Sequence, residues 1–126
     1  MTEIRKCKVL IIGAGPGGYV AGIRAGQLGL DTVIVEGNKA GGVCLNVGCI
    51  PSKAIIHAAE RFESLQKHSV KEGHMGLTVE GTAKLNMAEL TNWKDGIVNK
   101  LTNGVDALLK NAGVEVIKGW ARFTEA

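Results

Sequence analysis

An α/β fold built on a parallel sheet is predicted by three features of this 126-residue sequence. A short apolar run, Val9-Leu10-Ile11-Ile12, meets glycines at once, as strands buried in parallel sheets do. A helical stretch rich in small residues follows it directly, and a second β-branched run, Thr32-Val33-Ile34-Val35, comes next. Strand, helix and strand within about 30 residues make the βαβ unit, whose crossover is right-handed in nearly all cases.

The elements can be justified in order. Residues 8–12 read as a buried strand, and residues 15–28 as a helix in which Tyr19, Ala21, Ile23, Ala25 and Leu28 sit among small neighbours, ended by Gly29 at C′. Residues 32–36 are the second strand, and Gly37, Gly41 and Gly42 predict a loop after it. Helical spacing of Ile55, Ala58, Ala59, Phe62 and Leu65 predicts a helix over 51–65, which with the cysteine segment before it covers 44–65. Residues 66–85 show no sustained period and contain Gly73, Gly76 and Gly81, so a connection is expected, with a short extended piece over 77–79. Asn86 with Glu89 three residues on is a variant capping box, opening a long helix over 87–112 whose apolar seam is Leu90, Trp93, Ile97, Leu101, Val105 and Leu108. Residues 114–117 form a further strand, and Trp120-Ala121-Arg122-Phe123 another extended run.

Length and composition, 45% hydrophobic and 21% charged, suit one soluble domain with a core. The apolar run at 9–12 is far shorter than the roughly 20 residues of a membrane helix, and it leads into glycines rather than a cleavage site, so no membrane association or secretion signal is expected. That predicts a cytoplasmic location, or the mitochondrial matrix after processing. The net charge of +3 arises from 15 basic residues scattered among 12 acids, which argues against a nucleic-acid surface. Three cysteines in such a chain do not make a disulfide scaffold, and a close pair among them suggests metal or redox chemistry.

Gly13-Ala14-Gly15-Pro16-Gly17-Gly18 satisfies G-x-G-x-x-G and stands between a strand and a helix, where its mechanism needs it. Gly13 permits the tight turn, Gly15 admits a pyrophosphate close to the backbone, and Gly18 lets the helix pack on the strand. The helix N-terminus adds unpaired amides and partial positive charge. A glycine-rich turn without a ligand would carry the same letters, but not the flanking elements. Glu36, 18 residues after Gly18, is placed to accept hydrogen bonds from adenosine ribose hydroxyls, and its charge would repel a 2′-phosphate. FAD or NAD is therefore favoured over NADP, with nothing in the spacing to choose between them.

Cys44 and Cys49 are five apart, and in a regular helix such residues lie about 8.6 Å apart, beyond the roughly 7 Å that a disulfide spans. If they bond, the helix is distorted, with Gly48 and Pro51 as the agents. Zinc would need four ligands, and His57 has no second cysteine cluster to join, so no metal is assigned. Two inert buried cysteines are the plainer alternative, and Cys7 receives that reading.

The stretch Gly41-Gly42-Val43-Cys44-Leu45-Asn46-Val47-Gly48-Cys49-Ile50-Pro51-Ser52-Lys53, with Thr-Val-Ile-Val-Glu before it and Ala-Ile-Ile-His-Ala after it, resembles the redox-disulfide signature of the pyridine nucleotide-disulfide oxidoreductases. Leu45 and the Ile-Pro-Ser-Lys-Ala continuation favour the branch acting on lipoyl groups over glutathione and mercuric reductases. The resemblance implies a Rossmann-like FAD-binding domain over 1–126, incomplete relative to the family's fold, with NAD-binding and interface domains beyond it and no turnover by this part alone.

By position, Cys44 matches the interchange thiol and Cys49 the thiolate beside the flavin, with Lys53 near the flavin N5 side. Gly13, Gly15, Pro16, Gly17, Gly18, Glu36, Gly37, Gly42, Val43, Cys44 and Lys53 match the cofactor-binding set, as does Ala121, a position often glycine in relatives. The implied reaction oxidises dihydrolipoyl groups of 2-oxo acid dehydrogenase complexes, electrons passing through a Cys44–Cys49 disulfide and FAD to NAD in a homodimer. Alternatives are another flavin disulfide reductase, a non-catalytic FAD-binding module, or a simple NAD dehydrogenase. His57, His68 and His74 match no catalytic motif and are assigned to surface or packing.

Overall fold

A computed structural model describes residues 4–68 and 76–124. Its elements run β1 (Val9–Ile12), α1 (Pro16–Gln27), β2 (Thr32–Glu36), α2 (Gly42–Asn46), α3 (Cys49–His68), α4 (Met87–Asn111) and β3 (Glu115–Lys118). The three strands form one parallel sheet in the order β1-β2-β3, with Ile11 beside Ile34 and Ile34 beside Val116. The α/β class and the βαβ start predicted from the sequence are therefore present.

That Ile11–Ile34–Val116 row faces the core, where Ile34 is fully buried and Leu109 of α4 nearly so. Glycines on α1 make the approach possible. A Cβ at Gly22 would stand 2.6 Å from the Ile34 side chain and 3.4 Å from that of Leu109, and one at Gly26 would stand 2.2 Å from the Ala112 carbonyl oxygen. Together with Gly18 they form a stripe at four-residue spacing along which α1 lies flat on sheet and α4. The helix ends as expected: Leu28 and Gly29 fold back onto Arg24 and Gly26, and Gly29 takes φ +74°.

The strand at 8–12 was expected to be buried on both faces, but Leu10 and Ile12 are half exposed. β1 is an edge of the sheet, and the core cluster packs on the Ile11 and Ile34 face, while Leu10 and Ile12 point to the other face of the strand. Outside the sheet, Arg5 ties the strand starts together. Its guanidinium donates to both Asp31 oxygens at 2.7 and 3.0 Å and to Glu115 at 2.8 Å, holding the Asp31 carboxyl below the usual carboxylate range.

The predicted 44–65 helical region is two helices, broken at Val47 and Gly48. The loop expected around Gly42 is already the start of α2. Buried positions on α3 are Pro51 and Ala54, with Ala58 and Phe62 half buried, whereas Ile55 and Leu65 are substantially exposed. Within Gly42–His68 one 18-residue window reaches a mean hydropathy of 1.2, long and apolar enough to cross a membrane by length and composition only. Here it is a broken helix pair packed on α4.

Asn86 caps α4 as predicted, its Oδ1 accepting from the Ala88 and Glu89 amides at 3.0 and 3.3 Å. Of the expected α4 seam Val105 is buried and Leu90 and Ile97 are half buried, but Trp93, Leu101 and Leu108 are exposed, and Val98, Thr102 and Leu109 are buried instead. Apolar residues occupy neighbouring positions around this helix, so periodicity alone could not say which edge of the stripe meets the sheet. No strand forms at 77–79, where Val79 only donates to the His68 carbonyl, nor at 120–123, where Trp120 and Phe123 are exposed. Gly73 and His74 lie outside the described residues.

The glycine stripe makes a prediction of opposite signs. Gly26→Ala drives a Cβ into backbone and should cost about 1–3 kcal/mol, whereas Gly104→Ala on α4, where a Cβ would meet nothing within 4 Å, should stabilise by up to about 1 kcal/mol. Urea unfolding of the two variants against the parent checks both.

Candidate functional site

The site is assembled where two glycine segments cross. β1 delivers the chain into Gly13, whose φ of +94° only glycine adopts freely, and a Cβ on Gly18 would lie 1.9 Å from the Gly13 carbonyl oxygen. A Cβ on Gly15 would meet nothing within 4 Å, which leaves the backbone of the turn open to a close ligand. Gly15 is the N-cap of α1 and Pro16 opens its first turn; no side chain caps the helix, so its leading amides are free for an anion.

The second segment is Gly41-Gly42. The Gly41 amide donates to the Ala14 carbonyl at 2.7 Å, and a Cβ on Gly42 would sit 2.7 Å from the Gly15 Cα. Glu36 fastens the same junction from below: Oε2 accepts the Ala14 amide and Oε1 the Asn38 amide, both at 2.7 Å. A carboxylate has about four acceptor sites, so lone pairs remain for hydroxyl donors.

A cleft of about 940 Å³ opens beside this junction. Its walls are Glu36, Asn38 and Lys39 after β2, then Gly42, Val43, Asn46 and Val47 of the α2 segment, then Asp95, Val98 and Asn99 of α4, with Trp120. Of the residues singled out in the sequence, Glu36, Gly42 and Val43 line it. Gly37 lies under the Trp120 indole, within 2.6–2.9 Å of a built Cβ. Ala121 is exposed and does not line the cleft; its neighbour Trp120 does. Asn38, Lys39, Asn46, Asp95, Asn99 and Trp120 were not found in the sequence, because no spacing rule marks residues brought together by separate elements.

Cys44 on α2 and Cys49 at the start of α3 flank the helix break, and both are free thiols. The break is what brings them together. A Cβ on Gly48 would press on the Val43 carbonyl oxygen at 2.9 Å and approach the Cys44 Cα at 3.4 Å, so glycine allows the chain to double back. Pro51 falls in the first turn of α3, where its missing amide costs nothing, and the Ser52 hydroxyl closes the turn on the Gly48 carbonyl at 2.6 Å.

The neighbouring Cys49 thiol, together with desolvation, holds Cys44 above the ordinary thiol range. The Cys49 amide and the Lys53 charge pull it back toward thiolate. Lys53 is exposed on α3, one turn past Cys49, and stands off the cleft. Neither cysteine lines the cleft; Cys44 follows the lining residue Val43 by about 100° round α2. Cys7 is a half-buried free thiol just before β1. His57 is exposed, and His68 turns Nδ1 to the Ser64 carbonyl.

Chemically, a pair of neighbouring thiols across a helix break can exchange between dithiol and disulfide, and the neighbouring turn offers amides for a diphosphate. The model of the family "Pyridine nucleotide-disulphide oxidoreductase" matches residues 7–126. Curated relatives include the dihydrolipoyl dehydrogenase of Pseudomonas aeruginosa, 54% identical over 99% of this chain and 26% of its own length. That of Geobacillus stearothermophilus is 52% identical over 94% of this chain and 24% of its own. The chain thus spans about a quarter of the length of these relatives. Among solved structures, the HOCl-induced flavoprotein disulfide reductase RclA from Escherichia coli, in its Cu(II) complex, superposes with a TM-score of 0.73 at 25% identity, over 95% of this chain and 23% of that one. LpdA from Mycobacterium tuberculosis shares the fold at 21% identity, with a TM-score of 0.78 over 94% and 24%.

The charge of Lys53 makes a signed prediction. Lys53→Met removes a cation that favours the Cys44 thiolate, so the pH profile of Cys44 alkylation should move to higher pH and the rate below its midpoint should fall; Lys53→Arg should leave the profile in place. Iodoacetamide labelling followed by peptide mass spectrometry across pH reads both.

Proposed function

This chain belongs to the pyridine nucleotide-disulphide oxidoreductase family, and from that premise we propose that it is the FAD- and disulfide-bearing part of a dihydrolipoyl dehydrogenase. The observation that carries the reading is the helix break at Val47–Gly48, which sets Cys44 against Cys49 immediately after a glycine junction fit for a dinucleotide. Half-identity to dihydrolipoyl dehydrogenases along nearly the whole chain supports the lipoyl branch.

In this reading the α1 amides of the 15–18 turn hold the diphosphate, and Glu36 accepts from ribose hydroxyls while bracing the turn through Ala14. FAD, when bound, supplies the acceptor for the dithiol electron pair and its onward transfer to NAD. The oxidised chain carries a Cys44–Cys49 disulfide. A dihydrolipoyl thiolate attacks the Cys44 sulfur, forming a mixed disulfide and releasing Cys49 as thiolate. The second lipoyl thiol then displaces Cys44, so lipoyl leaves as a cyclic disulfide and the chain keeps two electrons as the dithiol. Lys53 favours the thiolate form of Cys44 throughout.

The partners that follow are lipoyl groups of 2-oxo acid dehydrogenase complexes and a second subunit, with no nucleic acid or membrane among them, and a location in the cytoplasm or the mitochondrial matrix. A flavin disulfide reductase acting on another substrate is the second reading, favoured by the likeness to RclA.

In the complete polypeptide, Cys44→Ser and Cys49→Ser should each lower dihydrolipoamide-dependent NAD reduction roughly a thousandfold or more while retaining yellow bound flavin. Wild-type turnover by either variant would sink the assignment. Reduction of glutathione disulfide in preference to oxidation of dihydrolipoamide would move it to the second reading.

A further inference from the structure

Between the two cysteines stands Asn46, whose side chain has no part in the thiol chemistry and yet is fully engaged. Its Nδ2 donates to the Ala40 and Gly42 carbonyls, each at 3.0 Å, and its Oδ1 accepts the Thr102 hydroxyl at 3.3 Å. Thr102 is a polar residue, 8% exposed, in the buried seam of α4. The orientation of the amide is fixed by its surroundings. Turned over, it would set an oxygen against two carbonyl oxygens, and only the observed placement matches two donors to two acceptors.

This arrangement ties three things together. Ala40 and Gly42 belong to the segment that lies on the glycine turn, α4 belongs to the core, and Asn46 ends α2, on which Cys44 sits. α2 is five residues long, and its own backbone bonds, such as Val47 amide to Val43 carbonyl at 3.0 Å, are too few to hold it alone. Leu45 anchors α2 in the core, and the asparagine adds the polar tie at the end of the helix next to the Gly48 turn.

We infer that Asn46 and Thr102 are positioning residues that set the equilibrium between the Cys44–Cys49 dithiol and its disulfide, by holding α2 so that one sulfur stays within reach of the other. The inference deepens the proposed function and rests on that pair being redox-active. The physical reason is effective concentration: a fixed turn has already given up the chain entropy that closing the bond would otherwise cost.

The equilibrium is measurable without lipoamide. In buffers of reduced and oxidised glutathione, the two thiols and one glutathione disulfide give the protein disulfide and two glutathione thiols, so two electrons and two protons pass to glutathione. On the complete flavin-loaded polypeptide, acid quenching, alkylation and mass spectrometry give the fraction oxidised. Thr102→Val, which removes the donor, and Asn46→Asp, which turns an oxygen toward the two carbonyls, should each shift the equilibrium about tenfold toward dithiol, or about 30 mV for two electrons. Thr102→Ser, which restores the hydroxyl, should stay within about twofold of the parent. The double variant should shift little further than either single one, since the two act through one network.

A lowered melting temperature with an unmoved glutathione equilibrium in Thr102→Val would overturn the inference and leave a structural hydrogen bond only. Should that variant not fold, the same comparison is read on Asn46→Asp. If the parent pair forms no disulfide at any glutathione ratio, the redox reading itself fails. If the pair forms one and the variants shift it but dihydrolipoamide is not oxidised, the proposed substrate fails and the positioning role stands.

Discussion

The contact on which the site depends is backbone against backbone, between Gly42 and Gly15. A Cβ on Gly42 would stand only 2.7 Å from the Gly15 Cα, and the adjoining Gly41 amide donates to the Ala14 carbonyl. Side chains at this crossing would push the dithiol segment away from the glycine turn, and with it the thiols from any ligand the turn holds. Gly18 beneath and Gly22 and Gly26 further along α1 extend the same condition into the core, since each lets the helix lie against sheet, turn or α4. One physical requirement, backbone approach closer than a methyl group allows, therefore runs from the ligand end of α1 to its far end.

The thiol pair is governed by two opposed influences. Proximity of Cys49 and loss of water keep Cys44 protonated; the Cys49 amide and Lys53 favour its ionised form. A disulfide-exchange site needs this opposition, because the attacking sulfur must be a thiolate yet must not be so stabilised that it loses nucleophilicity. Lys53 can act on the sulfur without touching the cleft because a full charge works at a distance that hydrogen bonds do not. The lysine one turn along α3 is thus an electrostatic neighbour of the pair, which its exposed position on a helix surface would not by itself suggest.

Local chemistry was legible in the sequence wherever a residue's role is decided by its own backbone or by close neighbours. The second strand, the glycine turn, the Gly29 stop and the Asn86 cap fall where composition and spacing place them, because propensity, positive φ and capping are local properties. The distortion between the cysteines followed from the length of a helix turn against the reach of a disulfide. What could not be read was decided by which surfaces meet. On α4 an adjacent set of apolar residues competes for the core, and Leu109, which lies against the Gly22 position of α1, is buried there rather than Leu101 or Leu108. The exposed edge at Leu10 and Ile12 depends on which strands lie beside β1, and apolarity is the same whether a face is covered or bare.

Thr102 shows why polar residues in a buried seam are informative. A hydroxyl taken from water without a partner costs roughly 1–3 kcal/mol, so a threonine inside a helix that could carry valine there has a reason to be polar. Its partner, Asn46, is equally ill-suited to a helix by propensity, and favours positions where its amide can serve backbone groups. Each is a poor local choice that becomes a good one only through the other, across 56 residues of sequence. Such mutual compensation marks a place where the fold gives up local preference for a specific geometry, and here that geometry is the turn between two cysteines. The two cysteines stand out in the sequence, while the pairing of Asn46 with Thr102 becomes visible only when the chain is folded.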